Sequence, residues 1–258
     1  MKIAITGKGG VGKTTLAAIL ARLYADEGRC VLAADVDPDA NLGMALGFTP
    51  EELEDITPIS KMRALIAERT GAGAETFGKF FKINPRVDDI PDMLAKEKNG
   101  VKLLVMGTVE TGGSGCVCPE HVMLKQVISH LIIRREDVVI MDMEAGLEHL
   151  GRGTSSIMDQ FIVVVEPGER SIQTYQNVAR LANDLGIKKV RVVANKLRSR
   201  ADEEFIKAKV PESALLGFIH FDDDVTAADR AGRSPYDISE KTVAEITAIK
   251  QRIDKDQQ

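Results

Sequence analysis

The chain has 258 residues, 44% hydrophobic and 28% charged, with a formal net charge of −5. That is ordinary globular composition, with chain enough for a sizeable core. The acidic balance argues against the basic footprint of a nucleic-acid binder, and no apolar run nears the ~20 residues of a spanning helix.

Trp is absent and aromatics are 4%, so the core must rest on Ile, Leu, Val, Ala and Met. The three cysteines, Cys30, Cys116 and Cys118, are too few and odd in number for a disulfide framework. A reducing, cytoplasmic setting is expected.

Lys2–Thr6 is a short apolar run that reads as a strand and is too short for a signal peptide. It leads into Gly7-Lys8-Gly9-Gly10-Val11-Gly12-Lys13-Thr14, which fits the P-loop pattern G-x-x-x-x-G-K-[ST]. A helical pattern over Lys13–Glu27 leads out. Glycines let backbone amides crowd a phosphate, and the helix N-terminus adds partial positive charge. Lys13 is expected on the β- and γ-phosphates of ATP and the Thr14 hydroxyl on Mg²⁺. Thr15 completes the expected contact set.

Cys30–Asp35 reads as a second strand, which would put Cys30 in the core. It ends in Asp35-Val36-Asp37-Pro38-Asp39. A carboxylate at a strand end beside a phosphate loop can orient water or hold the Mg²⁺ shell. Asp35, Asp37 and Asp39 all stand as candidates at this point, with Asp39 reading better as a turn or cap residue. Thr49–Gly100 is polar, carries Pro50, Pro58, Pro85 and Pro91, and has no strong strand. It reads as a largely helical insertion at one edge of a single domain spanning 1–258.

Leu103–Gly107 is the next expected strand. The loop Gly112-Gly113-Ser114-Gly115-Cys116-Val117-Cys118-Pro119 then opens a helix running to about Ile133. Cysteines usually hide as small hydrophobes, and two in a Gly-rich loop do not fit that habit. Two thiolates make half of a four-ligand site, and a two-fold dimer would bring four to its axis. Such ligands suit Zn²⁺, Cu⁺ or an iron–sulfur cluster, and a flatter arrangement suits Ni²⁺. A single-chain site of Cys116, Cys118 and His121, a redox pair, and an inert pair are the alternatives.

Val138–Asp142 is an apolar strand ending in Asp, the Walker B pattern, in which Asp142 supports Mg²⁺ through water. Phe161–Glu166, Val190–Asn195 and Leu215–Phe221 read as strands; Ser171–Leu185 and the tail from about Lys241 read as helices. The Asn195 amide donates and accepts at once, which suits a base edge. Lys188, Lys189, Arg191, Lys196, Arg198 and Arg200 read as a solvated basic face, and Asp222-Asp223-Asp224 as a loop or cap. Continuous apolar strands alternating with helices predict an α/β fold. It is a three-layer, doubly wound sheet of about seven to eight mostly parallel strands with helices on both faces.

Lys8, directly after the first glycine of the P-loop, resembles the deviant Walker A lysine of the MinD, ParA, ArsA and nitrogenase iron protein group. That resemblance implies a Lys8 that reaches a partner's nucleotide, hence ATP-promoted homodimerisation. It also implies water activation by Asp37, γ-phosphate sensing by Gly146, and adenine contact by Asn195. The P-loop, Asp37-Pro38-Asp39, the Cys-x-Cys loop and Asp142-Met143-Glu144-Ala145-Gly146-Leu147-Glu148-His149-Leu150 together resemble CooC-type nickel-insertion ATPases, including AcsF-type factors. This implies an ATP-dependent metallochaperone delivering Ni²⁺, or carrying Zn²⁺ in the same thiolate site, to carbon monoxide dehydrogenase or acetyl-CoA synthase. Glu144, Glu148 and His149 would report nucleotide state to that client, the alternative being ordinary polar residues of the loop after Asp142. No nucleic-acid or membrane partner is expected. A MinD/ParA-like positioning ATPase and an iron-protein-like electron donor are the competing functions.

Overall fold

A computed structural model describes residues 1–72, 81–107, 118–133, 137–144, 158–187 and 189–256. Eight strands form one sheet: β1 (Lys2–Gly7), β2 (Val31–Asp35), β3 (Lys96–Lys98), β4 (Val101–Val105), β5 (Val138–Asp142), β6 (Gln160–Val165), β7 (Val190–Leu197) and β8 (Leu215–His220). Their order is β3-β4-β2-β5-β1-β6-β7-β8, parallel throughout except for the β3–β4 pair. The described helices are α1 (Lys13–Asp26), α2 (Leu42–Ala45), α3 (Pro50–Glu54), α4 (Arg63–Thr70), α5 (Ile90–Leu94), α6 (Pro119–Ile133), α7 (Glu169–Asp184), α8 (Arg200–Lys209), α9 (Asp223–Arg230) and α10 (Glu240–Lys255). The expected three-layer architecture is present.

Strand alternation divides the core between two faces. Ile3, Ile5, Ala33, Ile140, Ile162 and Val164 pack with Leu16 and Leu20 of α1 and with Ile246, Ile249 and Ile253 of α10. Ala4, Leu32, Ala34, Met141, Phe161 and Val163 pack on the other side with α6 (Val127, Leu131), α7 (Ile172, Val178) and α8 (Ile206). With helices on both faces, the central strands have no wet side, which is why they read as unbroken apolar runs.

One expectation needs correction, and two features add to the reading. Cys30 is exposed and lies ahead of β2, not in the core. Its carbonyl still accepts from the Val138 amide at 2.9 Å, so the backbone is tied to the sheet while the side chain is not. The segment 49–100 does contain a strand, β3, which pairs antiparallel with β4. Asn99 and Gly100, both at positive φ (51° and 74°), make the two-residue turn between them. Three charged residues on so short an edge strand discourage pairing with another chain. Finally, α8 and α9 are helices that hydrophobic periodicity alone did not reveal. Ser199 and Asp202 form a reciprocal capping box at α8, and Asp222 caps α9, the second of the two readings, loop or cap, for Asp222-Asp223-Asp224.

Replacing Phe161, fully buried in β6, with Ala should lower unfolding free energy by about 3–5 kcal/mol, whereas Lys96→Ala on the exposed edge strand should stay within about 0.5 kcal/mol. Urea unfolding of both variants checks this.

Candidate functional site

The C-terminal ends of β1, β2, β5, β7 and β8 converge on a crevice, the position where open α/β sheets bind ligands. A cavity of about 540 Å³ lies there, walled by Gly9, Gly10, Gly12, Lys13, Thr14 and Thr15 on one side and by Asp37, Asp39, Asn41 and Met44 on another. Two glycines are dictated by contact. A Cβ on Gly7 would sit 2.5 Å from the Val164 carbonyl oxygen, and one on Gly12 would sit 2.1 Å from Asn195 Nδ2. Gly12 also has φ +94° and precedes α1 with no side-chain cap. The first amides of α1 therefore point into the cavity without intrahelical partners, as an anion site requires.

Lys13 is buried at the base of the loop, its Nζ 3.3 Å from Asp37 Oδ2. The Thr14 hydroxyl donates to Asp142 Oδ2 at 2.6 Å. The other oxygen, Asp142 Oδ1, is buried and finds no hydrogen-bond partner among the described residues. Burial pushes Asp142 up to about 6, opposed by the Thr14 hydrogen bond and the Lys13 charge. A buried carboxylate with one unsatisfied oxygen beside a hydroxyl is a donor set that fits a hard divalent cation such as Mg²⁺.

Asp35 pairs in register with Asp142 on the adjacent strand. It accepts from the Leu42 amide at 2.9 Å and the Asp37 amide at 3.3 Å, and so clamps both ends of the loop that carries Asp37. Burial pushes it up to about 7, partly countered by the Leu42 amide. Asp39 is exposed and donates its amide to Asp37 Oδ1 at 3.1 Å, a turn role, though it also lines the cavity. Lys8 is exposed on the loop, with no ion pair among the described residues. Gly146, Glu148, His149 and Cys116 lie outside the described residues.

A smaller cavity of about 70 Å³ adjoins the first, between Gly12, Asn195, Phe221, Asp222 and Thr242. Asn195 is buried there with both ends of its amide committed. Nδ2 donates to the Val11 carbonyl at 2.7 Å, and Oδ1 accepts from the Lys196 amide at 2.8 Å. Its direct partner in this structure is the P-loop backbone.

Sequence reasoning missed Asn41, Met44, Val225, Thr226, Asp229 and Arg233, which complete the cavity walls. It also missed Lys196, which lines both cavities. The first six lie in or beside α2 and α9, and Lys196 lies in β7; of the two helices only α9 has a side-chain cap, from Asp222. Among the described members of the basic group, Arg191 pairs with Asp256, Lys189 donates to the Asp256 carbonyl, Arg198 lies 3.7 Å over the Phe221 ring and Arg200 pairs with Glu204, while Lys188 lies outside the described residues. Cys118 immediately precedes α6, and its Sγ accepts from the His121 amide at 3.4 Å, so the thiol sits at a helix N-terminus where negative charge is favoured. No group of three or more metal-ligating side chains comes together among the described residues, and no described helix is long and apolar enough to cross a membrane.

The CobQ/CobB/MinD/ParA nucleotide binding domain matches residues 2–236. The chain is 50% identical over 257 residues to the carbon monoxide dehydrogenase accessory protein CooC of Rhodospirillum rubrum, covering 98% of this chain and 97% of that one. It is 45% identical over 252 residues to an uncharacterized ATP-binding protein of Methanocaldococcus jannaschii, covering 96% of each. A putative plasmid partition protein from Borrelia burgdorferi bound to AMPPNP superposes with a TM-score of 0.70 at 16% identity, covering 100% of this chain and 99% of that one. A chain of the MinC:MinD cell division protein complex of Aquifex aeolicus gives 0.68 at 18%, over 99% and 96%. At those identities the structures establish the fold, and the two sequence relatives carry the kinship further. With its phosphate loop, its buried strand-end carboxylates and these matches, the chain belongs to the CobQ/CobB/MinD/ParA nucleotide-binding family as a P-loop ATPase related to CooC.

Proposed function

We propose that this ATPase is a metal-loading factor. It binds and hydrolyses ATP, pairs with a second copy, and delivers nickel to carbon monoxide dehydrogenase or the linked acetyl-CoA synthase. The observation that carries the reading is 50% identity to CooC over nearly the whole of both chains. The Cys-x-Cys loop, present in this sequence at Cys116 and Cys118, supplies the chemistry for cargo. Soft thiolates suit the metal, and two loops on a two-fold axis complete a four-sulfur site.

At the nucleotide, Lys13 would exchange its contact with Asp37 for the β- and γ-phosphates. The amides at the start of α1 hold the phosphate oxygens. Asp37, freed from Lys13, orients the attacking water. Lys8, exposed on the loop, serves the partner's nucleotide, and the smaller cavity beside Asn195 receives the base. Thr14 and Asp142 would hold Mg²⁺, which when bound neutralises charge on the phosphates.

A positioning ATPase acting at a membrane fits less well. The apolar side of α10, Ile246, Ile249 and Ile253, is already buried against the sheet and offers no face to insert. An iron-protein-like electron donor would need its cluster thiolates from the two Cys-x-Cys loops, because no cysteine follows Asp142 in the sequence.

Two outcomes test this reading. A carboxylate whose folded pKa is raised binds its proton more tightly folded than unfolded. Its cost to stability is absent below about pH 4 and grows as pH rises through its folded value. Asp142→Asn should therefore stabilise the ligand-free protein by on the order of 2 kcal/mol at pH 8 and less at pH 5, while removing the Mg²⁺-dependent tightening of nucleotide binding. Urea unfolding at both pH values, with ADP titrations with and without Mg²⁺, measures both effects. Replacing Cys116 and Cys118 together with Ala should reduce Ni²⁺ and Zn²⁺ retained after dialysis to background, with ADP affinity held within about twofold. Metal retained at the unmodified level would remove the loop from the metal site.

A further inference from the structure

Asn195 and Lys196 are consecutive in β7, and both side chains reach the P-loop. In a regular strand neighbouring side chains point to opposite faces. Here β7 uses Ala194 to Leu197 where β8 uses only Phe218 to His220, a bulge in the ladder. Lys196 stands in that bulge at φ +60°, a conformation a lysine keeps only when its surroundings hold it. The surroundings are specific. Lys196 Nζ donates to the Gly10 carbonyl and pairs with Glu166 Oε1 at 2.9 Å. Glu166 directly follows β6, and its amide is fixed by the Ser171 hydroxyl at 3.0 Å.

The N–H and C=O of a trans peptide point in opposite directions. A phosphate cradle needs its N–H groups inward, and a carbonyl turned toward the phosphate would repel it. Asn195 holds the Val11 carbonyl at 2.7 Å, so the Gly12 amide of the same peptide faces the opposite way. Lys196 holds the preceding carbonyl, Gly10, and the Val11 amide of that peptide closes the loop onto the Lys8 carbonyl at 3.4 Å. We propose that Lys196, held by Glu166, is a positioning residue that fixes the P-loop backbone in its phosphate-accepting form. The proposal rests on the nucleotide-binding reading of this cavity. Lys196 then belongs to the site and not to the basic face of β7, and its exposed position at the junction of the two cavities follows from its task.

The test uses the full chain and two ligands in the presence of Mg²⁺: ADP, which samples the whole site, and pyrophosphate, which samples the loop alone. Lys196→Met keeps the stem and removes the charge. It should weaken both ligands about tenfold, the loss of one charge-assisted hydrogen bond. Lys196→Gly removes the brace but relieves the positive φ. It should weaken both ligands equally while the ligand-free Tm stays the same or rises. Glu166→Gln should weaken both less, and should add nothing when combined with Lys196→Met.

Unchanged pyrophosphate affinity in the Met and Gly variants would overturn the brace, even if ADP binding fell. A Tm that falls in step with affinity in the Gly variant would mark Lys196 as merely structural and overturn it as well. If the unmodified protein binds neither ligand, the nucleotide reading itself fails, and the brace with it.

Discussion

Two carboxyl groups, Asp35 and Asp142, end adjacent strands in register, both almost wholly buried, and the site is organised around the cost of burying them. Burial opposes their ionisation, pushing Asp35 up to about 7 and Asp142 up to about 6, and the Asp142 charge adds to the rise at Asp35. The protein meets this in two ways. Asp35 is answered by two backbone amides and fixes a loop. Asp142 is answered by one hydroxyl and keeps a buried oxygen in reserve. That asymmetry separates a structural carboxylate from one suited to a cation.

The same arrangement ties the loop of Asp37 and Asp39 to the rest of the cavity. Asp35 holds the start of α2, and the end of α2 is held in turn, because the Ser234 hydroxyl donates to the Ala45 carbonyl at 2.7 Å. The segment carrying Asp37 and Asp39 is thus joined to the wall formed by Asp229 and Arg233. A ligand that draws Lys13 away from Asp37 acts on a loop anchored at both ends, so Asp37 is the part left to respond. On the far side of the sheet, α6 is locked into the core by Met123, Val127 and Leu131, which gives the thiol of Cys118 a rigid platform.

Much of this was legible in the residues themselves. The central strands are buried on both faces, so their apolar runs could be read directly, and β5 was bounded to the residue from Val138 to Asp142. Lys13, Thr14, Asp37 and Asp142 were each singled out by type and spacing, and the fold brings all four together. What escaped were features set by tertiary contact or by turn chemistry. The edge strand β3 has no apolar signature, because charge suits an edge; only Asn99-Gly100 announced it. Cys30 was placed inside a strand by its apolar neighbours, yet it falls one residue outside. Lys196 was grouped with nearby basic residues because a bulge and a positive φ, which re-aim a side chain, leave no pattern in a single sequence.

The proposed function makes one mechanical claim: nucleotide held in this crevice would draw two copies together, and the pair would close a four-thiolate pocket for the cargo metal. Sedimentation velocity with metal content measured on the same samples tests it most directly, with Mg²⁺, a non-hydrolysable ATP analogue and Ni²⁺ supplied singly and together. The account predicts a species of twice the single-chain mass, carrying one metal ion per pair, when all are present. A single-chain species under every combination, with both loop thiols still open to alkylation, would contradict it.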